Sequence, residues 1–322
     1  MAKGVRNALS LVLTMSRAFG AVTIKAKERT YVFSYKLYAF FIALSLVAMV
    51  EGIIGVCNAS SEHSVSVVMI IDIMAFSFYV FTAVIVSYQH YYIRESLPVI
   101  ILELEHIDEF IGNVSYDDYY NYGVIFQSIV NTIPEIFVLL QRPYTWNDLF
   151  TQILYYSFTE VPVLISAQYA ILLHIISRQL HTLSELLNIV LFKLEIWSLL
   201  DVHSNLVLLA DRINRAFDIF LIHMITFIFV IGSMKIYFVV VYIVQPIAYT
   251  DLELTVISFI DFLVNFGSLI TIVIAATNAK KKVRKPFSCH HTTFHRVSVA
   301  CLWCDEYTLR SCFRYILFQV KL

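Results

Sequence analysis

The chain has 322 residues, 59% of them hydrophobic and 15% charged, with a mean hydropathy of +0.74. A soluble domain carries about 45–50% apolar and about 25% charged residues, and a soluble fold of this size has too little interior to hide the excess. The 23 Lys+Arg against 24 Asp+Glu leave a formal net charge of −1, which excludes a global basic field for nucleic acid, and the composition excludes disorder, collagen and disulfide scaffolds.

The pattern predicts an all-α, polytopic transmembrane helical bundle with six clear spans, a weak seventh and a cytoplasmic N-terminus. Residues 1–36 form the cytoplasmic N-terminal segment. Within it, residues 8–15 are a short apolar run behind Lys3 and Arg6 with no small-residue cleavage site after it. An amphipathic segment on the inner membrane surface is expected there. Crossing the hydrocarbon core takes about 20 mostly apolar residues. The stretches 37–57, 66–88, 122–140, 150–176, 219–244 and 254–277 qualify. Pro134 and Pro162 are expected to kink the third and fourth spans without ending them.

Orientation follows from Lys and Arg in the short flanks. Lys3, Arg6, Arg17, Lys25, Lys27, Arg29 and Lys36 precede the first span; Arg94 follows the second; Arg178, Lys193, Arg212 and Arg215 lie between the fourth and fifth. The run Lys280-Lys281-Lys282-Val283-Arg284-Lys285 follows the sixth, and the three opposite loops offer only Arg142. These outer loops, 58–65, 141–149 and 245–253, leave no room for an external ligand-binding domain. An external ligand must enter a cavity among the helices.

Two helical extensions are expected inside the cell, at 89–121 and 177–218. In the first, Leu97, Ile100, Ile101, Leu104 and Ile107 fall at helical spacing within an acidic stretch. In the second, Leu180, Leu183, Leu187, Leu191 and Leu194 share one face, followed by Leu206, Leu209, Ile213 and Phe217. Such faces need partners, either each other or neighbouring subunits. Residues 278–322 form a basic segment and the weak seventh span, 297–322, which Asp305, Glu306, Arg310 and Arg314 interrupt.

A charge inside a span costs a few kcal/mol on insertion scales, on the order of 3 at the centre, so it needs a reason. Glu51, Asp72, Glu135, Glu160, Lys235 and Asp261 are such residues, with Asn131 and Asn265 as uncharged counterparts. A polar pocket between helices and a buried ion pair both explain them; Asp72, Glu160 and Asp261 are the hardest to dismiss. Cys301-Leu-Trp-Cys304 with His290, His291 and His295 invites a zinc reading. The His spacing fits no established finger, so reduced thiols and no metal are expected. Asn58 and Asn113 open glycosylation triplets, but only Asn58 falls outside, almost touching the membrane. No phosphate loop, HExxH, GxSxG or usable carboxylate pair appears, so neither an enzyme nor a cofactor is expected.

The block Leu206-Val-Leu-Leu-Ala-Asp-Arg-Ile-Asn-Arg-Ala-Phe217, running on to Phe227 and Tyr237, resembles the insect gustatory receptor family. There a cytoplasmic helix with an Ile-Asn-x-x-Phe/Tyr turn feeds the fifth span. At the tail, Ala300-Cys301, Asp305 and Tyr315 resemble the family's closing motif, whereas Arg314, Lys321 and Leu322 replace its Thr, Gln and Phe. The tail thus reads as a shortened, degenerate version of that family's pore segment.

The resemblance implies a taste receptor subunit acting as a ligand-gated, non-selective cation channel. It implies a homo- or hetero-tetramer with other gustatory receptors in the plasma membrane of sensory neurons, on dendrite and axon. A small-molecule tastant would bind in a pocket opening outward, with Glu135, Trp146, Tyr155 and Glu160 as candidate lining. Tyr315, Ile316 and Phe318 would form the gate, with Lys321 near the outer mouth. Fourfold Arg314 and Lys321 are expected to repel cations and weaken a homomeric pore. An insect odorant receptor, which shares this topology, is the nearest alternative. A secondary transporter is a more distant one, permitted by the intramembrane carboxylates but opposed by the missing internal repeat and the unbroken fifth and sixth spans. A rhodopsin-type receptor would need an external N-terminus and Asp-Arg-Tyr and Asn-Pro-x-x-Tyr motifs, neither of which is present.

Overall fold

The computed structural model describes residues 4–19, 21, 24–27, 30–62, 67–112, 114–116, 119–141, 146–189, 193–244 and 250–284. The chain runs through α1 (Val5–Ala18), an antiparallel hairpin of β1 (Ile24–Lys27) and β2 (Thr30–Phe33), and then α2 (Tyr35–Glu62) and α3 (Val67–Ile93). It continues through α4 (Ser96–Ile111), α5 (Tyr119–Gln141), α6 (Trp146–Ile189), α7 (Lys193–Val244) and α8 (Thr250–Arg284).

Apart from residue 66, which lies outside the described residues, each of the six apolar stretches lies within a single helix, and Pro134 and Pro162 end neither α5 nor α6. Glu160–Leu187, Ser198–Met234 and Phe262–Val283 are, among the described residues, long and apolar enough to cross a membrane. The helices exceed what crossing requires. At 1.5 Å per residue, the 44 residues of α6 and 52 of α7 are roughly 66 and 78 Å long, against a hydrocarbon core of about 30 Å. Each therefore continues well outside the core.

Helix α6 is the hub. From Glu160 to Leu173 every residue is buried, and among the described residues α6 touches every other helix. A helix buried all round can be apolar all round. Its neighbours are two-sided instead. On α8, Val264, Asn265, Ser268, Ile272, Ala275 and Ala279 turn inward, while Val256, Phe259, Leu263, Phe266, Ile270, Val273 and Ile274 are exposed. That outer stripe repeats at three- and four-residue intervals, the spacing of one helix face. An apolar face this long suits hydrocarbon rather than water.

Two expectations need correction, and one element is new. The amphipathic segment at 8–15 does not offer its apolar face to a membrane surface. It lies in α1, whose Val5, Leu9, Val12 and Leu13 are buried in the common core, and α1 packs on α6 and α4. Burying four large side chains against protein is worth several kcal/mol, at roughly 2 each. The hairpin was not anticipated at all. Lastly, helix extends into the connections expected at 58–65, 141–149 and 245–253, because Asn58 lies within α2, Trp146 opens α6 and Thr250 opens α8. Asp148, Asp251 and Glu253 stand in the first turns of α6 and α8, where the helix dipole favours negative charge. Sequence hydropathy misses those turns because they are polar.

Much of the apolar face of the two amphipathic stretches is covered by protein. Leu97, Ile100, Ile101, Leu104 and Ile107 of α4 are buried, as are Leu180 and Leu183 of α6 and Leu206, Leu209, Ile213 and Phe217 of α7. Leu191 lies outside the described residues, as does the Leu194 side chain. The faces pack on each other within this chain. Outward, Arg212 bridges Glu103 at 2.8 and 3.0 Å, tying α7 to α4. With both side chains about half exposed, that pair contributes no more than about 1 kcal/mol.

Close approach of α7 and α8 depends on Gly232. A Cβ there would stand 2.6 Å from Phe262 Cε2, and the Phe262 ring is stacked on Phe266 with centroids 5.8 Å apart. Small residues let membrane helices approach in this way. Gly232→Leu is expected to destabilise the bundle by about 2 kcal/mol or more through overpacking. Gly232→Ala, which one ring swing can absorb, should cost less. Thermal unfolding in detergent would check the order; equal melting of the two variants and the parent would contradict it.

Candidate ligand site

Several of the described buried polar groups meet where α5, α6 and α8 pack together. Ser128 and Gln127 are adjacent on α5 and serve different neighbours. Ser128 Oγ donates to Glu160 Oε2 on α6 at 3.2 Å, and Glu160 has no exposed surface. Gln127 Nε2 donates to the Val264 carbonyl at 2.7 Å and to Ser268 Oγ, both on α8. Asn265, beside them in sequence, is also buried. Helix α5 is thus held on both sides by hydrogen bonds from successive residues. Polar side chains commonly join helices in lipid, each such bond contributing about 0.6 to 2 kcal/mol.

Glu160 is the one pocket candidate whose side chain is described. Glu135 lies in α5, and Trp146 and Tyr155 lie in α6, with side chains outside the described set. Trp146 and Glu160 are fourteen residues apart on one helix, roughly 21 Å along its axis. Only a ligand extended along α6 would touch both. Tyr155 is five residues from Glu160, roughly 8 Å along the axis and about 140° around it. Asp72 belongs to α3, Lys235 to α7 and Asp261 to α8, again with side chains outside the described set. Arg314, Tyr315, Ile316, Phe318 and Lys321 lie outside the described residues, as do Cys301, Cys304, His290, His291 and His295.

Sequence reading missed the uncharged partners. Gln127, Ser128 and Ser268 sit in apolar stretches where a search for charges passes over amides and hydroxyls. The same holds for Gln168, buried on α6, whose Nε2 donates to Ser16 Oγ at 2.8 Å and to the Ala21 carbonyl at 3.1 Å. That amide fastens the end of α1 to the hub. His223 stands at the α3–α7 interface with Nε2 2.9 Å from Thr82 Oγ1. Gln89 and Ala216 join the same two helices.

His90, at the end of α3, is wholly buried beside the Phe41 ring, 5.1 Å away. Burial pushes its imidazole down to about 4, against a smaller upward pull from the Ala21 backbone. Burial also lowers His203. Between pH 6.5 and 4 the unfolded chain therefore binds a proton at residue 90 that the folded chain refuses. Stability is complete above pH 6.5 and falls with pH through that window, by about 3 kcal/mol from His90 alone. His90→Phe should flatten the acid limb of a melting-temperature profile. An unchanged limb would show that His90 is not the group responsible.

The family model of the 7tm chemosensory receptors matches residues 9–309, from within α1 to just short of the last thirteen residues. The tail residues Arg314 to Leu322 fall beyond that match. No curated protein matches the chain. Apolar helices with outward hydrocarbon-like faces, a hub helix carrying a buried carboxylate and a match across nearly the whole chain agree: this is a membrane protein, and it belongs to the 7tm chemosensory receptor family.

Proposed function

We propose that the chain is a gustatory receptor subunit that opens a non-selective cation conductance when a small tastant enters the bundle from outside. The observation that carries this reading is Glu160, a fully buried carboxylate on the hub helix with a hydroxyl partner from α5. A carboxylate held at membrane depth is expensive and marks a functional site by default. Its two oxygens can accept hydrogen bonds from hydroxyl-rich or amine-bearing ligands, and Tyr155 and Glu135 would supply further edges. Trp and Tyr suit sugars and planar bitter compounds alike, through a ring face and a polar tip.

In this reading four subunits, alike or mixed with other gustatory receptors, surround the pore in the plasma membrane of a sensory neuron. Tyr315, Ile316 and Phe318 would close it by excluding water, and the positive rings of Arg314 and Lys321 would depress cation flux. Currents from the chain alone are therefore expected to be weak, and stronger beside other family members. Calcium imaging of cells expressing the chain, alone and with such partners, against panels of tastants and volatile odorants tests the reading. A response confined to odorants would make it an odorant receptor, and substrate accumulation without current would make it a carrier.

A further inference from the structure

The apolar outer stripe of α8 does not end at a loop. The helix continues beyond 277 for seven residues, through Lys280, Lys281 and Lys282 to Arg284. Its inner face persists: Ala275 and Ala279 are buried and Val283 packs against the core. The last two turns are therefore held in place by the bundle. The outer face changes chemistry on the same line. Ile270, Val273 and Ile274 are exposed, then Thr277 and Asn278, then Lys281. Lys281 lies four residues past Thr277, roughly 6 Å, which is headgroup depth below a span ending at 277. Lys280 and Lys282 flank it half-buried, and Arg284 follows three residues further along the helix.

Among the described residues neither Lys281 nor Lys282 is paired with an acid. Between Asp261 and Asp305 the sequence has six Lys and Arg and no Asp or Glu. The carbonyl end of α8 contributes about half a negative charge, which four basic residues outweigh. We infer that the end of α8 is a site for anionic phospholipid headgroups, placed where the lipid-facing stripe of the same helix meets Lys280, Lys281, Lys282 and Arg284. A lipid there lays its chains along Ile270, Val273 and Ile274 and its phosphates against the lysines. This rests on the reading that α8 crosses the membrane, and on its basic end facing the cytoplasmic leaflet, where anionic lipids lie.

The test uses the full chain in phosphatidylcholine nanodiscs doped with phosphatidylinositol bisphosphate, with bound lipid read by native mass spectrometry. Both leaflets then have one composition, so orientation does not enter. The parent should retain the anionic lipid over phosphatidylcholine. The variant K280Q/K281Q/K282Q/R284Q should lose about tenfold or more of that preference, each basic residue near a surface being worth roughly fivefold. Because Lys281 is exposed, raising salt should weaken retention by the parent itself, a readout that survives if the variant misfolds. Equal enrichment in parent and variant, retention indifferent to salt, or full displacement by soluble inositol trisphosphate at equal concentration would overturn the site. Impermeant labelling of Lys281→Cys on intact cells tests orientation separately. Outside labelling would remove the cytoplasmic leaflet as the source of the lipid, whatever the nanodiscs show.

Discussion

Asp108→Ala is expected to destabilise the protein by about 3 kcal/mol, the largest loss from any single truncation at the α1–α4 end of the bundle. Asp108 is 5% exposed, and its Oδ1 accepts from the Val114 N–H at 3.2 Å and from the Tyr116 hydroxyl at 2.8 Å. Both donors are buried, and an orphaned buried donor costs about 1–3 kcal/mol. The bond network reaches further. Gln179 Nε2 donates to the Tyr116 oxygen at 3.1 Å and to the Leu104 carbonyl at 2.9 Å, so α6 joins α4 through the same tyrosine. Burial, and then Asp108 itself, hold the Tyr116 phenol well above its ordinary range, so it remains a donor.

Gly112, in the left-handed region with φ of 91°, ends α4 and turns the chain back so that residues 114–116 meet the carboxylate. Gly4, immediately before α1, lies against Oδ2, which sets the positive end of the α1 dipole toward Asp108. Asp108→Asn keeps the Oδ1 acceptor and should lose less than half as much. Melting in detergent, with hydrogen exchange of α1, α4 and α6, distinguishes these outcomes. Equal melting of the Ala and Asn variants would show that the acceptor at Oδ1 does not hold this end together.

The contrast between Asp108 and its neighbours explains what could be read in advance. The apolar face of α4 repeats every three to four residues, so Leu97, Ile100, Ile101, Leu104 and Ile107 announce themselves. Asp108 follows Ile107 in an acidic stretch and looks like Glu103 and Glu105. Those two do reach outward, Glu103 to Arg212 and Glu105 to Arg6 and Tyr31, whereas Asp108 turns inward. Periodicity places a residue on a helix face, but it does not say which loop returns to cover that face. The hairpin was hidden for a related reason. Its residues 24–33 mix Lys, Ala, Thr and Tyr without strict alternation, and its place is fixed by burial of Ile24 and Tyr31 in the core and by the Tyr31 bond to Glu105 at 3.0 Å, the carboxylate that Arg6 also forks. The polar knot around Gln127 and Ser128 carries no charge and so left no trace in an apolar stretch. The spans were legible because hydrocarbon makes one simple demand on twenty residues.

Glu160 is where stability and function should part. Charged groups at membrane depth are costly, and replacing a buried ionised group by an apolar one of similar volume is often neutral or stabilising. Glu160→Leu is therefore expected to fold, reach the surface and melt no lower than the parent, because Ser128 can turn its hydroxyl to its own helix backbone. Its response to a tastant that activates the parent should nevertheless vanish. Glu160→Gln keeps an oxygen for Ser128 but carries no charge. A hydrogen bond to a charged group is worth about 1.5–3 kcal/mol, so the half-maximal tastant concentration should rise roughly ten- to hundredfold. Tyr155→Phe, losing one neutral hydroxyl roughly 8 Å along the same helix, should shift it several-fold at most. Dose–response curves at matched surface expression, paired with melting temperatures, read both axes. If Glu160→Leu is lost from the surface while Glu160→Gln responds like the parent, the carboxylate is a packing element and the tastant binds elsewhere in the bundle.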